Sequence, residues 1–330
     1  MLPRFLFVAA AVVSSALFLR CGNDATSSTP GSVLTPRPRV TVATTARPTR
    51  TATPGVTTAT GTVTESATPD PTQTPAPEPS CEQGKADREA HYQDAAAEIE
   101  KAMEGYNGTW ALAVIDLDCE TSISVNPDYV QYTASAGKIL PVIAALKKVQ
   151  DGELEFDLIE PHLNEVLHHS LDSSADFIND QVTQSEVEAV LAKANVSDLT
   201  RYEGSWHYTF MPAMDLARVW ESLLRGKQLN KKWTEYLLNL ASEVELPPEY
   251  ATFPDPDDLG REGYQMGQKA GYYVVDGIPY YLLGAGYLRP TDGSSLGFAM
   301  VFEMKTMNPE LFDPQRRSVF PIILKYILDS

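Results

Sequence analysis

Over residues 85–106 the apolar positions Tyr92, Ala95, Ala96, Ile99 and Met103 recur among charged residues three or four apart. That spacing predicts a helix with one buried face. Asn107-Gly108 breaks the pattern, and the β-formers of 109–117 (T-W-A-L-A-V-I-D-L) then predict a strand. Residues 118–121 read as a turn into a second strand over 122–125. The unbroken apolar run from Ile139 to Leu146 predicts a helix over 135–150, ended by Asp151-Gly152. Further helices are expected at 160–169, 173–182, 185–194, 212–224 and 231–241, with Pro212 at a first helical position. After a loop rich in Pro, Asp and Glu come three strand-like segments, 264–275, 278–288 and 296–304. Their turns are marked by Asp276-Gly277 and by 290–294. A last helix is expected over 314–328.

The order is helix, two strands, a block of helices, three strands, helix. Burying both ends of such a chain is simplest in an α/β fold of the α+β type. A single five-stranded antiparallel sheet carries the terminal helices on one face and an all-helical lobe on the other.

Composition changes this picture only at the N-terminus. Arg4, an apolar run over 5–19, then Arg20 and Cys21 fit a secretory signal over 1–21, too short for a comfortable membrane-spanning helix. Cys21-Gly22-Asn23 looks like the acylated cysteine of a bacterial lipoprotein, although Arg20 stands where a small residue is usual. An uncleaved anchor is the alternative, and either exports the chain to the cell envelope, held on the outer side of the membrane. Residues 22–80 are mostly Thr, Pro, Ser, Ala and Gly and bury too little apolar surface to order, so they read as a disordered linker. The folded domain is then 81–330.

Residues 1–80 hold six basic and four acidic residues, so 20 of the chain's 26 basic and 40 of its 44 acidic residues fall in the domain, a net of −20. Such a surface disfavours nucleic acid and anionic lipid. If Cys21 is lipidated, Cys81 and Cys119 remain as a pair. A bridge between them would be worth about 4 kcal/mol in the chain-entropy estimate, and two free thiols are the alternative. Neither cysteine has the neighbours of a zinc site, and His162, His168 and His169 read as the wet face of a helix. No metal or cofactor is expected.

Within 132–140 (Y-T-A-S-A-G-K-I-L), Ser135 stands three residues before Lys138. On a helix the two share a face, so the amine can reach the hydroxyl. A desolvated lysine with a lowered pKa can take the proton of an otherwise weakly nucleophilic serine. Ser170-Leu171-Asp172 follows between two expected helices, and Lys269-Ala270-Gly271 lies inside the third strand, where Gly271 allows close backbone approach. Bland readings exist for each: Ser170 as a helix cap, Lys269 as a strand lysine whose stem packs on the sheet.

With these three motifs in order, the chain resembles the serine β-lactamase and penicillin-binding protein superfamily, most closely its class A β-lactamase-like branch. The likeness spans roughly 106–330. It implies Ser135 as the acylated nucleophile, Lys138 as its base or proton relay, Ser170 as a proton shuttle and Lys269 as a source of positive charge. The oxyanion hole would be the backbone N–H groups of Ser135 and Tyr272. Asp172, Ala270, Gly271 and Tyr272 would line the substrate. The chain departs from the pattern in three places. Asp172 replaces an Asn, Ala270 replaces a Thr or Ser, and Ser135 and Ser170 are only 35 positions apart. The deacylation base that the resemblance asks for falls on Glu203 in Arg201-Tyr202-Glu203-Gly204, where a surface acid beside Arg201 is the alternative. The expected ligand is a β-lactam or a cell-wall peptide. The function that follows is an exported serine hydrolase with an acyl-serine intermediate. A D-Ala peptidase or a catalytically weakened binding module are the competing readings.

Overall fold

The computed structural model describes residues 81–243, 245, 253, 263–274 and 280–328. The expected signal, linker and Cys21, the turn at Asp276-Gly277 and most of the acidic loop lie outside them, as does the side chain of Cys81. Cys119 is disulfide-bonded. Among the described residues no helix is long and apolar enough to cross a membrane.

In chain order the elements are α1 (Cys81–Ala102), β1 (Gly108–Asp116), β2 (Thr121–Val125), β3 (Val130–Tyr132), α2 (Ile139–Asp151), α3 (Phe156–His168), α4 (Asp172–Asp180) and α5 (Gln184–Ala194). Then come β4 (Arg201–Tyr202), β5 (Thr209–Pro212), α6 (Ala213–Leu224), α7 (Lys231–Ser242), β6 (Tyr264–Tyr273), β7 (Tyr280–Pro290), β8 (Phe298–Thr306) and α8 (Phe312–Leu328). Short 3₁₀ segments cover Ala134–Lys138, Trp206–Tyr208 and Pro309–Leu311.

The main sheet has the order β2-β1-β8-β7-β6 with every pair antiparallel. Its strands are apolar on both faces, because side chains alternate and both faces are covered. Leu112, Val114, Leu282, Met300 and Phe302 pack against Tyr92, Ala95 and Ile99 of α1 and Val319, Phe320 and Ile323 of α8. Their neighbours Ala111, Ala113, Leu283, Ala285, Ala299 and Val301 face the helical block, where small residues let α6 approach. Asp116 anchors α1 to the sheet by accepting from Arg88 at 3.1 Å and from Tyr92 at 3.0 Å.

Three features were not read from the sequence. β3, β5 and β4 form a second, three-stranded sheet, Val130 pairing with Pro212 and Tyr202 with Thr209. At two to four residues each these strands are too short to show a period. Pro212 therefore ends a strand and caps α6 instead of occupying its first turn. α3 begins at Phe156, ahead of the expected start, and carries Pro161 inside it. The lost backbone bond is offset by burying Phe156 against the rings of Trp233 and Tyr236, 4.9 and 5.4 Å away.

On β8 one charged residue is sealed in. Glu303 is registered between Ala111 and Leu283, on the face covered by helices, and is 1% exposed. Its Oε1 has no hydrogen-bond partner among the described residues, and burial pushes its carboxyl well above the usual range, so the group is held neutral. A raised folded-state value means that the folded chain keeps a proton the unfolded chain has released. The stability this contributes is complete below the ordinary glutamate value of 4.5 and declines as pH rises through the folded-state value. Urea unfolding of the wild type and of Glu303→Gln from acid to neutral pH should therefore show the wild type losing stability relative to the variant. Parallel pH profiles would contradict the neutral assignment.

Candidate active site

Ser135 lies in the 3₁₀ segment Ala134–Lys138 that leads into α2, not in the α-helix expected for it. A 3₁₀ turn eclipses residues three apart, so Ser135 and Lys138 still share a face. Two backbone restraints hold the segment. Thr133 donates from both its N–H and its hydroxyl to the carbonyl of Thr209 on β5, each at 3.1 Å. Ala134 takes φ +46°, a left-handed conformation that costs a non-glycine residue about 1–3 kcal/mol and persists only where the surroundings impose it. On the other side, a Cβ on Gly271 of β6 would sit 2.6 Å from Thr133 O and 3.0 Å from Ala136 N. The glycine is what lets β6 lie against the turn that carries Ser135. Ser135 itself is half-buried.

The second motif arrives from the α3–α4 connection. Ser170 also has left-handed backbone, φ +57°. In that conformation its two oxygens meet different lysines. Lys138 Nζ donates to the Ser170 carbonyl at 2.6 Å and to Asp172 Oδ1 at 2.5 Å. Lys269 Nζ reaches Ser170 Oγ at 2.8 Å and the Ala270 carbonyl at 2.9 Å. Both lysines are sealed, 0% and 1% exposed, whereas Asp172 is open to solvent. Burial lowers the Lys138 pKa, opposed by its hydrogen bond to Asp172 and by the charges of Asp172 and Asp176. The Lys269 pKa falls well below the ordinary lysine range through burial first and the charge of Lys138 second, with Asp172 pulling the other way.

The sequence-predicted residues Ser135, Lys138, Ser170, Asp172, Lys269, Ala270 and Gly271 are thus brought to one cleft between the main sheet and the helical block. Ala270 is buried and contributes its carbonyl to Lys269. Tyr272, expected to serve through its backbone, turns its ring away from the cleft toward Phe312 of α8. Glu203 stands exposed on the turn after β4, held by its N–H to the carbonyl of Tyr208, and among the described residues no hydrogen bond ties its side chain to Lys138, Lys269, Ser135 or Ser170. The connection from β4 to β5 is too short to carry it inward.

A second carboxylate whose charge bears on Lys138 is Asp176, one turn beyond Asp172 on α4. It accepts from Trp206 Nε1 at 3.0 Å and lies 2.9 Å from His207 Nε2. Trp206 in turn presents its ring 4.3 Å from Lys138 Nζ. The i, i+4 spacing of Asp172 and Asp176 was a readable signal, but nothing in W-H-Y marked Trp206. Tyr132 forms an aromatic wall with Phe210, Tyr273 and Tyr281, ring centroids 5.5–5.9 Å away. Among the described residues no group of three or more His, Cys, Asp or Glu is placed to hold a metal ion.

A half-exposed serine on a strained turn, backed by two buried amines that meet at a second serine, is equipped for acyl transfer. A profile of the β-lactamase enzyme family matches residues 94–160, the stretch from α1 through Lys138 into α3. A β-lactamase from Sphaerobacter thermophilus superposes with a TM-score of 0.56 at 16% identity, covering 71% of this chain and 96% of its own. The fold is that of the serine β-lactamases and penicillin-binding proteins. A β-lactamase from Chitinophaga pinensis (TM-score 0.58, 15% identity, 72% of this chain and 98% of its own) and the penicillin-binding protein PBP-A (0.56, 16%, 73% and 97%) share it. No curated protein sequence matches the chain. Within this β-lactamase-like fold the Ser135 turn, the Ser170 bend and strand β6 are the three walls of the cleft.

Gly271→Ala would force the Ser135 turn and β6 apart, because both blocking atoms are backbone. The expected result is a folded protein whose reactivity at Ser135 drops by about a hundredfold, the scale of an ångström-sized misplacement. An unchanged rate of Ser135 modification would show that the close approach does not position the serine.

Proposed function

We propose that this chain is a class A β-lactamase-like serine hydrolase that opens a β-lactam or related amide through an acyl-serine intermediate on Ser135. The observation that carries this reading is the joint placement of Lys138 and Lys269 on the two oxygens of Ser170 beside the Ser135 turn. Ser135 attacks the carbonyl, and its proton passes through the amine and hydroxyl groups to the leaving nitrogen. The backbone N–H groups of Ser135 and Tyr272 receive the developing oxyanion. Release of the acyl group is slow in this reading, because Glu203 faces solvent and is not available to activate a water. That feature favours a protein that acylates readily and turns over weakly, as in a penicillin-binding-type peptidase. We further propose that the domain works outside the cell, tethered to the envelope through the N-terminal segment ending at Cys21.

Incubation with a penicillin followed by intact-mass measurement tests the reading. A persistent adduct that maps to Ser135 is expected, absent in Ser135→Ala. Labelling that survives in Ser135→Ala would remove the site assignment, and rapid product formation without an adduct would remove the slow release.

A further inference from the structure

The cleft has an apolar rim that the acyl-transfer groups do not use. Leu171, Tyr208, Tyr273 and Val274 are exposed, and each stands on a segment that builds the cleft. Leu171 separates Ser170 from Asp172, Tyr208 follows Trp206 and His207, and Tyr273 and Val274 continue the chain beyond Gly271. Beside them two cross-strand aromatic pairs meet, Tyr132 with Phe210 on β3 and β5, and Tyr273 with Tyr281 on β6 and β7. The Tyr132 ring centroid lies 5.5 Å from that of Tyr273, 5.9 Å from Tyr281 and 5.6 Å from Phe210, the first two edge-on. Tyr132 stands three residues before Ser135. Side chains alternate along a strand, so Tyr273 shares the face of β6 on which Gly271 meets the Ser135 turn. A cluster that served only to join the two sheets would be sealed. Here Tyr132, Phe210 and Tyr281 are half-buried and Tyr273 is exposed. Among the described residues no hydrogen bond engages the hydroxyl of Tyr132, Tyr208, Tyr273 or Tyr281. The tyrosines of the cores are tied down, Tyr92 to Asp116 and Tyr287 to the carbonyl of Leu238.

We propose that Tyr132, Phe210, Tyr273 and Tyr281 form the subsite that selects the acyl-side substituent of the substrate, and that it takes a neutral aromatic or flat apolar group. The inference rests on the acyl-serine reading above and names its substrate class. Open ring surface continuous with a reacting turn marks a place where a ligand covers apolar area. Direction follows from the reaction. The departing nitrogen must meet the proton donors at Ser170, and the carbonyl oxygen must meet the N–H groups of Ser135 and Tyr272. The remaining substituent of the acyl carbon is then left to lie along Tyr273, the next residue of β6. Charge narrows the choice. The rings of Phe210 and Tyr281 already carry cations, the Arg201 guanidinium 5.2 Å from the first and Lys305 Nζ 5.3 Å from the second. Asp172 stands on the Ser170 side, and its charge raises the Tyr132 pKa after burial and the neighbouring Tyr273 phenol. A cationic substituent meets the first two groups and an anionic one meets Asp172. A neutral ring meets neither and gains aromatic contacts that amount to about tenfold in affinity.

The test compares acylation of the full chain, followed by intact mass, across four penicillins that differ only in this substituent. They are benzylpenicillin, its analogues with an ammonium or a carboxylate on the benzylic carbon, and 6-aminopenicillanic acid, which has no acyl side chain. Benzylpenicillin should acylate about tenfold faster than 6-aminopenicillanic acid at sub-saturating concentration and faster than either charged analogue. In Tyr273→Ala that ratio should fall towards one, through weaker saturation instead of a slower limiting rate. A ratio taken on one preparation is unmoved by the fraction that is folded. Equal rates for all four compounds in the wild type, or a ratio unchanged in Tyr273→Ala, would overturn the subsite. Calorimetric titration of Ser135→Ala separates the subsite from the acyl-serine reading, because no adduct forms there. Benzylpenicillin should still bind about tenfold more tightly than 6-aminopenicillanic acid, and equal affinity overturns the proposal. Absence of an adduct with all four compounds in the wild type sinks the acyl-serine reading alone, and the titration then decides the subsite.

Discussion

Ser170 in left-handed backbone, with one oxygen on each of two sealed lysines, is the contact on which the cleft depends. A lysine amine loses its hydration when buried, and several kcal/mol must be recovered from its neighbours. Neither amine finds enough partners within its own element. Lys138 needs the carboxylate and carbonyl that α4 and its lead-in supply, and Lys269 needs the hydroxyl. The helical block and the sheet are therefore tied together at one residue, beside the serine proposed to react. The strain at Ser170, and the matching strain at Ala134, is sustained because each bend is fixed from both sides.

The rest of the architecture serves to bring those parts together. The sheet separates two apolar cores, so β6 is rigid where it meets the Ser135 turn. Gly271 removes the one side chain that would keep them apart. Asp215, buried in α6, accepts from Ser197, Thr200 and Arg218 and so fixes the loop before β4. The β4–β5 connection that follows carries Trp206 to the face of Lys138. The ion pairs on the outer surface, such as Lys325 with Glu98, are solvent-exposed and add little.

Much of this was legible in the sequence wherever a long element has a period. The five main strands, the terminal helices and the helical block follow from apolar spacing, and the three motifs fall in one cleft. What was not legible has a physical cause in each case. Strands of two to four residues, such as β4 and Thr209–Pro212, have no pattern to read. The start of α3 was hidden by Pro161, whose effect on a helix is outweighed by packing that only the fold reveals. Glu203 was placed by analogy with a longer loop, and the short β4–β5 connection leaves it on the surface. Asp176 and Trp206 act through contacts between α4 and the β4–β5 connection, distant in sequence and joined only by the tertiary fold.

The central claim is that Ser135 is the nucleophile of a cleft preorganised by Lys138, Ser170 and Lys269. A crystal structure of the chain soaked with an aryl boronic acid addresses it most directly. The account predicts a tetrahedral boronate bonded to Ser135 Oγ, one boronate oxygen near the backbone N–H groups of Ser135 and Tyr272. A free Ser135 hydroxyl with boronate attached elsewhere, or none bound at saturating concentration, would contradict it.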